Sequence, residues 1–255
     1  MSAKSDKFEK DVAKEITRMW GGLGLIAERP SVGTGYSDVR LKYKKQFHWL
    51  EVKMNHTDNL ANPRMFYNGT RWDTTYKTPA AKHSVKQLNL NPTLTRKFHK
   101  AINKYSGISR AKIPTTKGGL RDEKAVPLES MRSFFDDDVF DSRYILDNKD
   151  VNIASLVTEH YTKGKDAPAY YMQAADDFYL IGNTDPLNLN KGLRGKRRIP
   201  VLSGKGDFRI RIATRSKFYE VQAEIKIKNF VSSPYSVMEG SDKLNPFANL
   251  LTKDI

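Results

Sequence analysis

Apolar and polar residues alternate strictly in the last third of the chain, over Phe208 to Arg215 and again over Tyr219 to Lys228. A period of two predicts two strands, joined through Ser216 to Tyr219 as a hairpin. Ala169 to Gln173 and Phe178 to Ile181 predict a second strand pair around Asp176 and Asp177. Near the amino terminus the period changes. Phe8, Val12, Ile16, Met19 and Trp20 fall on one face at about 100° per residue, which predicts a helix. Ser5 or Asp6 would cap it, and Gly21-Gly22 would stop it near Trp20. Short strands are expected over 23–29, 36–44 and 47–54. A polar stretch, Asn55 to Pro79, carries Arg71 and Trp72, and its amide, guanidinium and aromatic groups suit contact with bases and phosphates. A basic helix is expected from Pro79 to about Tyr105, broken at Asn91-Pro92, with Lys82 and Lys86 on it. A further helix is expected over 151–163.

Glu9 lies between Ile16 and Trp20 on the helical wheel, and Glu15 lies at the other edge of the apolar stripe. A carboxylate inside a buried stripe needs a partner.

Composition narrows the partner. The 255 residues carry a formal net charge of +15, and cysteine is absent. Disulfides and thiol-ligated zinc are thereby excluded. The charge calls for a polyanion. Nucleic acid fits better than a membrane, because no long apolar run exists, and the amino terminus lacks the apolar core of a secretion signal. An intracellular, DNA-associated protein of the cytoplasm is the expectation. Between Lys191 and Lys217 lie ten Lys or Arg and one acid, Asp207. Arg197 and Arg198, with Arg209, Arg211 and Arg215 alternating along the strand, predict a phosphate-backbone footprint. The run Asp136-Asp137-Asp138 and nearby Asp141 reads as a solvated turn or helix start. The segment 115–119 lacks the spacing of a phosphate-binding loop. The five histidines show no paired metal spacing; His48 and His56 flank the region of greatest chemical interest.

That region is Glu51-Val52-Lys53. Residues i and i+2 on a strand project from one face, so Glu51 and Lys53 point the same way. A hairpin through Lys44, Lys45 and Gln46 brings Asp38 alongside. Two carboxylates can hold a hard divalent cation, and the lysine can orient a water for phosphodiester attack.

An acid at one strand and Glu-X-Lys on the next resembles the PD-(D/E)XK nuclease superfamily, with Ser37 where a proline is usual. The resemblance implies an αβββαβ core: a mixed central sheet flanked by helices, here with a β-rich carboxy-terminal elaboration. It implies Mg²⁺, with Mn²⁺ as substitute, held by Asp38, Glu51 and the Val52 carbonyl, with Lys53 catalytic. It implies an auxiliary acid from the first helix, Glu9 or else Glu15. The basic helix after Pro79 would serve as the second core helix, with Gln87 facing the site; Asn91 departs from the Gln-X-X-X-Tyr pattern of exonuclease branches. The expected organisation is a nuclease core over 1–110 with a recognition insertion near 55–79, a connection over 111–168, and a basic β-rich part over 169–255. The expected function is endonucleolytic cleavage of double-stranded DNA by a homodimer of restriction, phage or mobile-element type. The alternatives are a non-catalytic DNA-binding or packaging protein, and a Holliday-junction resolvase, to which Gly33 to Asp38 followed by Glu51 to Lys53 is also similar.

Overall fold

The computed structural model describes residues 3–31, 36–67, 70–93, 96, 120–121, 144–145, 153–215, 218–228 and 230–253. The protein is mixed α/β. It divides into two compact units, the first formed by 1–58, 154–205 and 227–255, the second by 59–153 and 206–226. The second unit is therefore inserted in chain order at two places. The division expected at residues 110 and 168 does not coincide with these units, because the strand that pairs with Glu51 comes from after the first inserted segment.

In the first unit α1 (Ala3–Trp20) leads into β1 (Ile26–Glu28), β2 (Val39–Tyr43) and β3 (Gln46–Lys53). The unit continues after the first inserted segment with α3 (Ile153–Lys163), β8 (Tyr171–Ala174) and β9 (Asp177–Leu180). The five strands form one mixed sheet in the order β1-β2-β3-β8-β9. All pairs are antiparallel except β3 with β8, where Glu51 lies opposite Met172 in a parallel register.

Alternation along the strands sorts the side chains. Leu50 and Val52 join Val39, Leu41, Tyr171, Phe178 and the α1 residues Val12, Ala13, Ile16 and Trp20 in one buried cluster. Met19, placed in the apolar stripe by the helical wheel, is 44% exposed. It sits at the stripe's margin, where the last turn runs past the sheet. Glu51 and Lys53 project from the opposite face, where the buried Tyr161 of α3 lies beside Lys53. Gly182 follows β9 at φ +75°, and a Cβ there would stand 2.7 Å from the Thr158 methyl carbon of α3. That close approach fixes helix against sheet.

The β2–β3 turn sets the register. Lys44 and Lys45 both take positive φ, 46° and 64°, in a two-residue hairpin that pairs Tyr43 with Gln46 and Val39 with Leu50. Two positive φ values define a turn whose twist suits a hairpin, although Asn-Gly is its usual sequence. A slip of one residue would turn Glu51 and Lys53 into the apolar core.

In the second unit β4 (Arg64–Tyr67) and β5 (Trp72–Asp73) pair antiparallel. They join β10 (Lys205–Arg215), β11 (Phe218–Lys228), β6 (Leu120–Arg121) and β7 (Tyr144–Ile145) in a six-stranded sheet. The polar stretch expected as a loop therefore contains two strands. Trp72 is 1% exposed, its backbone clamped by the Asn89 side chain at 2.8 and 3.0 Å, so it is core rather than a surface for bases. The basic helix, α2 (Pro79–Asn89), is shorter than expected. Thr78 caps it, accepting a hydrogen bond from Ala81 N at 3.3 Å, and it ends before Pro92. It belongs to the second unit together with Gln87. In the first unit α3 occupies the position in chain order for which α2 was expected, immediately before β8. The order of elements along the chain misled here, because the parallel partner of β3 comes after the first inserted segment, 59–153.

The Asp-rich run at 136–141, the segment 115–119, the turn at Gly33 to Gly35, and Lys97, Lys100 and Lys104 lie outside the described residues, as do the side chains of Arg211 and Arg215.

Candidate active site

Asp38 precedes β2 and Glu51 lies near the end of β3, so the hairpin register sets them side by side. The Val52 N–H, beyond the last β2 pairing, donates to Asp38 Oδ2 at 2.9 Å. On a strand the N–H and C=O of one residue lie along the same edge. The Val52 carbonyl is therefore directed to the Asp38 edge. The Lys53 carbonyl lies on the other edge, where it accepts from Ala175 N at 2.8 Å.

Glu51 is 2% exposed. Its two oxygens have separate cationic partners, Lys53 Nζ at 2.7 Å on Oε1 and Lys165 Nζ at 3.3 Å on Oε2. Burial alone would raise its pKa, but the two ammonium groups outweigh burial and hold Glu51 at about 2. Asp38 behaves oppositely. Burial and the Glu51 charge push it up to about 7, against the opposing pull of Lys53 and the Val52 N–H. Lys53 would lose basicity through burial; the charges of Glu51 and Asp38 and the hydrogen bond to Glu51 more than compensate and keep it an ammonium. Burial, with the Glu51 charge, keeps the Tyr161 hydroxyl protonated. Its neighbour His160 is lowered to about 4 by burial and by Lys165, and is neutral.

The two α1 carboxylates diverge. Glu9, 3% exposed, accepts from Arg29 Nε at 2.6 Å on Oε2 and from Ser5 Oγ at 3.0 Å on Oε1. Its charge still reaches Asp38 and contributes to the raised pKa there. Glu15 pairs with Arg18 at 2.6 Å, and Arg18 holds its carboxyl below the usual range despite burial. Glu9 is thus the α1 acid whose charge reaches Asp38, and Arg29 is its ion-pair partner.

Asp38, Glu51 and Lys53 come together in the first unit, and the charge of Glu9 reaches Asp38. Lys165 and Tyr161 join them, and neither was picked out from the sequence. Lys165 stands in the run Lys163-Gly164-Lys165, where spacing gives no sign that it turns inward to Glu51, 114 positions away. His56 instead lies 2.8 Å from Asp177 and packs on Phe230; His48 is half-buried. Among the described residues no three His, Cys, Asp or Glu groups converge as a metal cluster. The donor set at the site is two carboxylates and the Val52 carbonyl edge. All are hard oxygens suited to Mg²⁺ or Mn²⁺. Asp38, half-buried, and Glu51, buried, lie side by side with the Val52 carbonyl directed to the same edge, so the residues fit a divalent cation.

The residues expected to contact nucleic acid lie in different settings. Arg197 and Arg198 are exposed on a loop of the first unit with Lys191, Arg194 and Lys196, and none of these five side chains forms an ion pair with a described residue. The loop is anchored: Asn190 clamps the Ile199 N–H at 2.7 Å and the Ile199 carbonyl at 3.0 Å, and the Tyr235 hydroxyl donates to the Arg197 carbonyl at 2.5 Å. In the second unit Lys82 and Lys86 are exposed one turn apart on α2, and Arg71 is exposed beside β5. Arg209 corrects the expected guanidinium face. It is half-buried and paired at 2.9 Å with the buried Asp207, which projects from the same side of β10. Gln222, Ala223, Glu224 and Ile225 are all buried, so β11 is covered on both faces there despite its alternating sequence.

Comparison with protein-family models, with curated proteins and with solved structures gave no match. No helix of the described residues is long and apolar enough to cross a membrane.

Proposed function

We propose that the protein is a metal-dependent endonuclease of double-stranded DNA, built on a PD-(D/E)XK-type core. The observation that carries this reading is the meeting of Asp38, Glu51 and Lys53 at one point, with Glu51 nearly inaccessible and Lys53 held charged beside it. The element order α1-β1-β2-β3, then α3-β8, supports the same reading. Buried ion pairs of this kind contribute little net stability, so a structural role accounts poorly for them.

Asp38, Glu51 and the Val52 carbonyl would hold Mg²⁺ or Mn²⁺, which supplies Lewis acidity at the scissile phosphate and makes bound water more acidic. The protein's own groups do the rest. Lys53, fixed by Glu51, presents a permanent positive charge where negative charge develops on the phosphate oxygens. Glu9 stays with Arg29 and shapes the charge on Asp38. Tyr161 and the apolar sheet exclude bulk water from one side. Arg197 and Arg198, with their three basic neighbours, would take phosphates of the backbone, and Lys82, Lys86 and Arg71 would do so from the second unit. Cutting both strands of a duplex calls for two such sites, hence a homodimer.

The test uses supercoiled plasmid and linear duplex with Mg²⁺, Mn²⁺ or EDTA, comparing the native chain with Lys53→Ala and Asp38→Ala. The expected result is metal-dependent fragments from the native chain and retarded, uncut DNA with either variant. Uncut DNA from the native chain in every lane, still retarded, would point instead to a binding protein.

A further inference from the structure

Lys165 carries an inference that rests on the metal-dependent reading and goes beyond it. The ammonium stands 3.3 Å from Glu51 Oε2 and 3.3 Å from the Tyr36 carbonyl, and lies 5.2 Å from the centre of the Tyr161 ring. Its side chain is 13% exposed, whereas Lys163 two residues earlier is 73% exposed. A lysine on a bend after a helix ordinarily extends into water. This one turns inward onto a carboxylate that already has a partner in Lys53.

The two lysines are not equivalent. Lys53 is anchored on β3, between β2 and β8. Lys165 follows the end of α3 on a non-helical bend that includes Gly164, and it reaches the site through its side chain alone. Lys53 occupies Oε1 and leaves Oε2 to Lys165. An ion shared by Asp38 and Glu51 would need a Glu51 oxygen; Oε1 is held at 2.7 Å by the strand-anchored Lys53, so Oε2, held at 3.3 Å by Lys165, is the one that can be vacated.

We infer that Lys165 is a placeholder cation: in the metal-free protein it occupies the Glu51 oxygen that a divalent ion takes, and it leaves when the ion binds. The buried carboxylate is then never without a counter-charge, and Lys165 once released is a mobile ammonium suited to a phosphate.

Mn²⁺ binding to the full chain without DNA, followed by the loss of the free-ion electron paramagnetic resonance signal, tests this. Lys165→Ala should bind Mn²⁺ about tenfold more tightly than the native chain, equivalent to about 1.4 kcal/mol. Lys165→Arg should stay close to native, and Asp38→Asn should lose most of the binding. In the native chain, acetylation of Lys165 followed by peptide mass spectrometry should speed up several-fold when Mn²⁺ is added, while Lys53 stays protected. This second reading needs no variant to fold. Unchanged or weaker Mn²⁺ binding by a folded Lys165→Ala, or acetylation indifferent to Mn²⁺ that does bind, overturns the placeholder and leaves the nuclease reading standing. Equal Mn²⁺ binding by the native chain and Asp38→Asn overturns both.

Discussion

Asp38 and Glu51 are neighbouring carboxylates displaced in opposite directions, Asp38 up to about 7 and Glu51 down to about 2. Burial acts on both. The difference lies in their partners: Glu51 has two ammonium groups on its own oxygens, while Asp38 has the Val52 N–H and the pull of Lys53 set against the permanent charge of Glu51. The pair therefore consists of one fixed anion and one that is half-protonated near neutrality.

This split has a consequence for stability in the absence of metal. An unfolded aspartate loses its proton near pH 4, and folded Asp38 keeps its proton to about 7. Between those values the native state binds more protons, so stability falls as pH rises through that window. Asp38→Asn, neutral throughout, should exceed the native chain slightly at pH 5, where the loss has begun, and by much more at pH 8, where it is complete. Urea melts in EDTA at the two pH values measure this. Equal midpoints at pH 8 would show that Asp38 ionises as freely when folded as when unfolded.

Arg29 neutralises a carboxylate that is almost wholly buried. Arg29→Ala should cost about 3–5 kcal/mol, the usual effect of leaving a buried charge without its partner. Adding Glu9→Gln should restore a large part of that loss, because the uncompensated charge is then gone. Thermal melts of both single variants and the double variant check it; strict additivity would show that the pair is not coupled.

The Lys44-Lys45 turn holds two side chains at positive φ, a conformation that costs an ordinary residue about 1–2 kcal/mol. Lys44→Asn with Lys45→Gly should therefore stabilise the chain by about 1 kcal/mol. Cleavage, if the proposed activity holds, should not change, because the register of Asp38 against Glu51 is kept. A fall in the urea midpoint would show that the lysines serve the fold in another way.

The loop carrying Arg194, Lys196, Arg197 and Arg198 offers a separable test of DNA binding. Replacing these four with glutamine should weaken binding about equally for all duplex sequences. It should also flatten the dependence of log affinity on log salt by about one for each phosphate that is no longer neutralised. Fluorescence anisotropy at several salt concentrations reads both. An unchanged slope would remove this loop from the proposed interface.

Some of this arrangement was legible in the chain itself. Period-two alternation sets Glu51 and Lys53 on one face, and the short link to Asp38 closes a hairpin; both are local properties. The helical period of α1 likewise brought Glu9 inside the apolar stripe. What stayed hidden depends on contacts between distant segments. The basic pattern after Pro79 competed for the place of α3, and nothing near Glu51 shows that its parallel neighbour is Met172. Lys165 is one of several lysines in a polar segment, and only tertiary structure turns it inward. Arg209 alternates as a surface residue should, yet Asp207 two positions away draws it into a pair.

The parallel pairing of β3 with β8 also governs when the molecule becomes complete. Glu51 and Met172 are roughly 120 residues apart in the chain. A polypeptide emerging from the ribosome amino end first can form α1 and the β1–β2–β3 meander early. At that stage Glu51 lacks Lys165, and β3 presents an open edge where β8 belongs. Open edges invite pairing with foreign strands. The interval before β8 emerges is thus when the young chain is most exposed to aggregation.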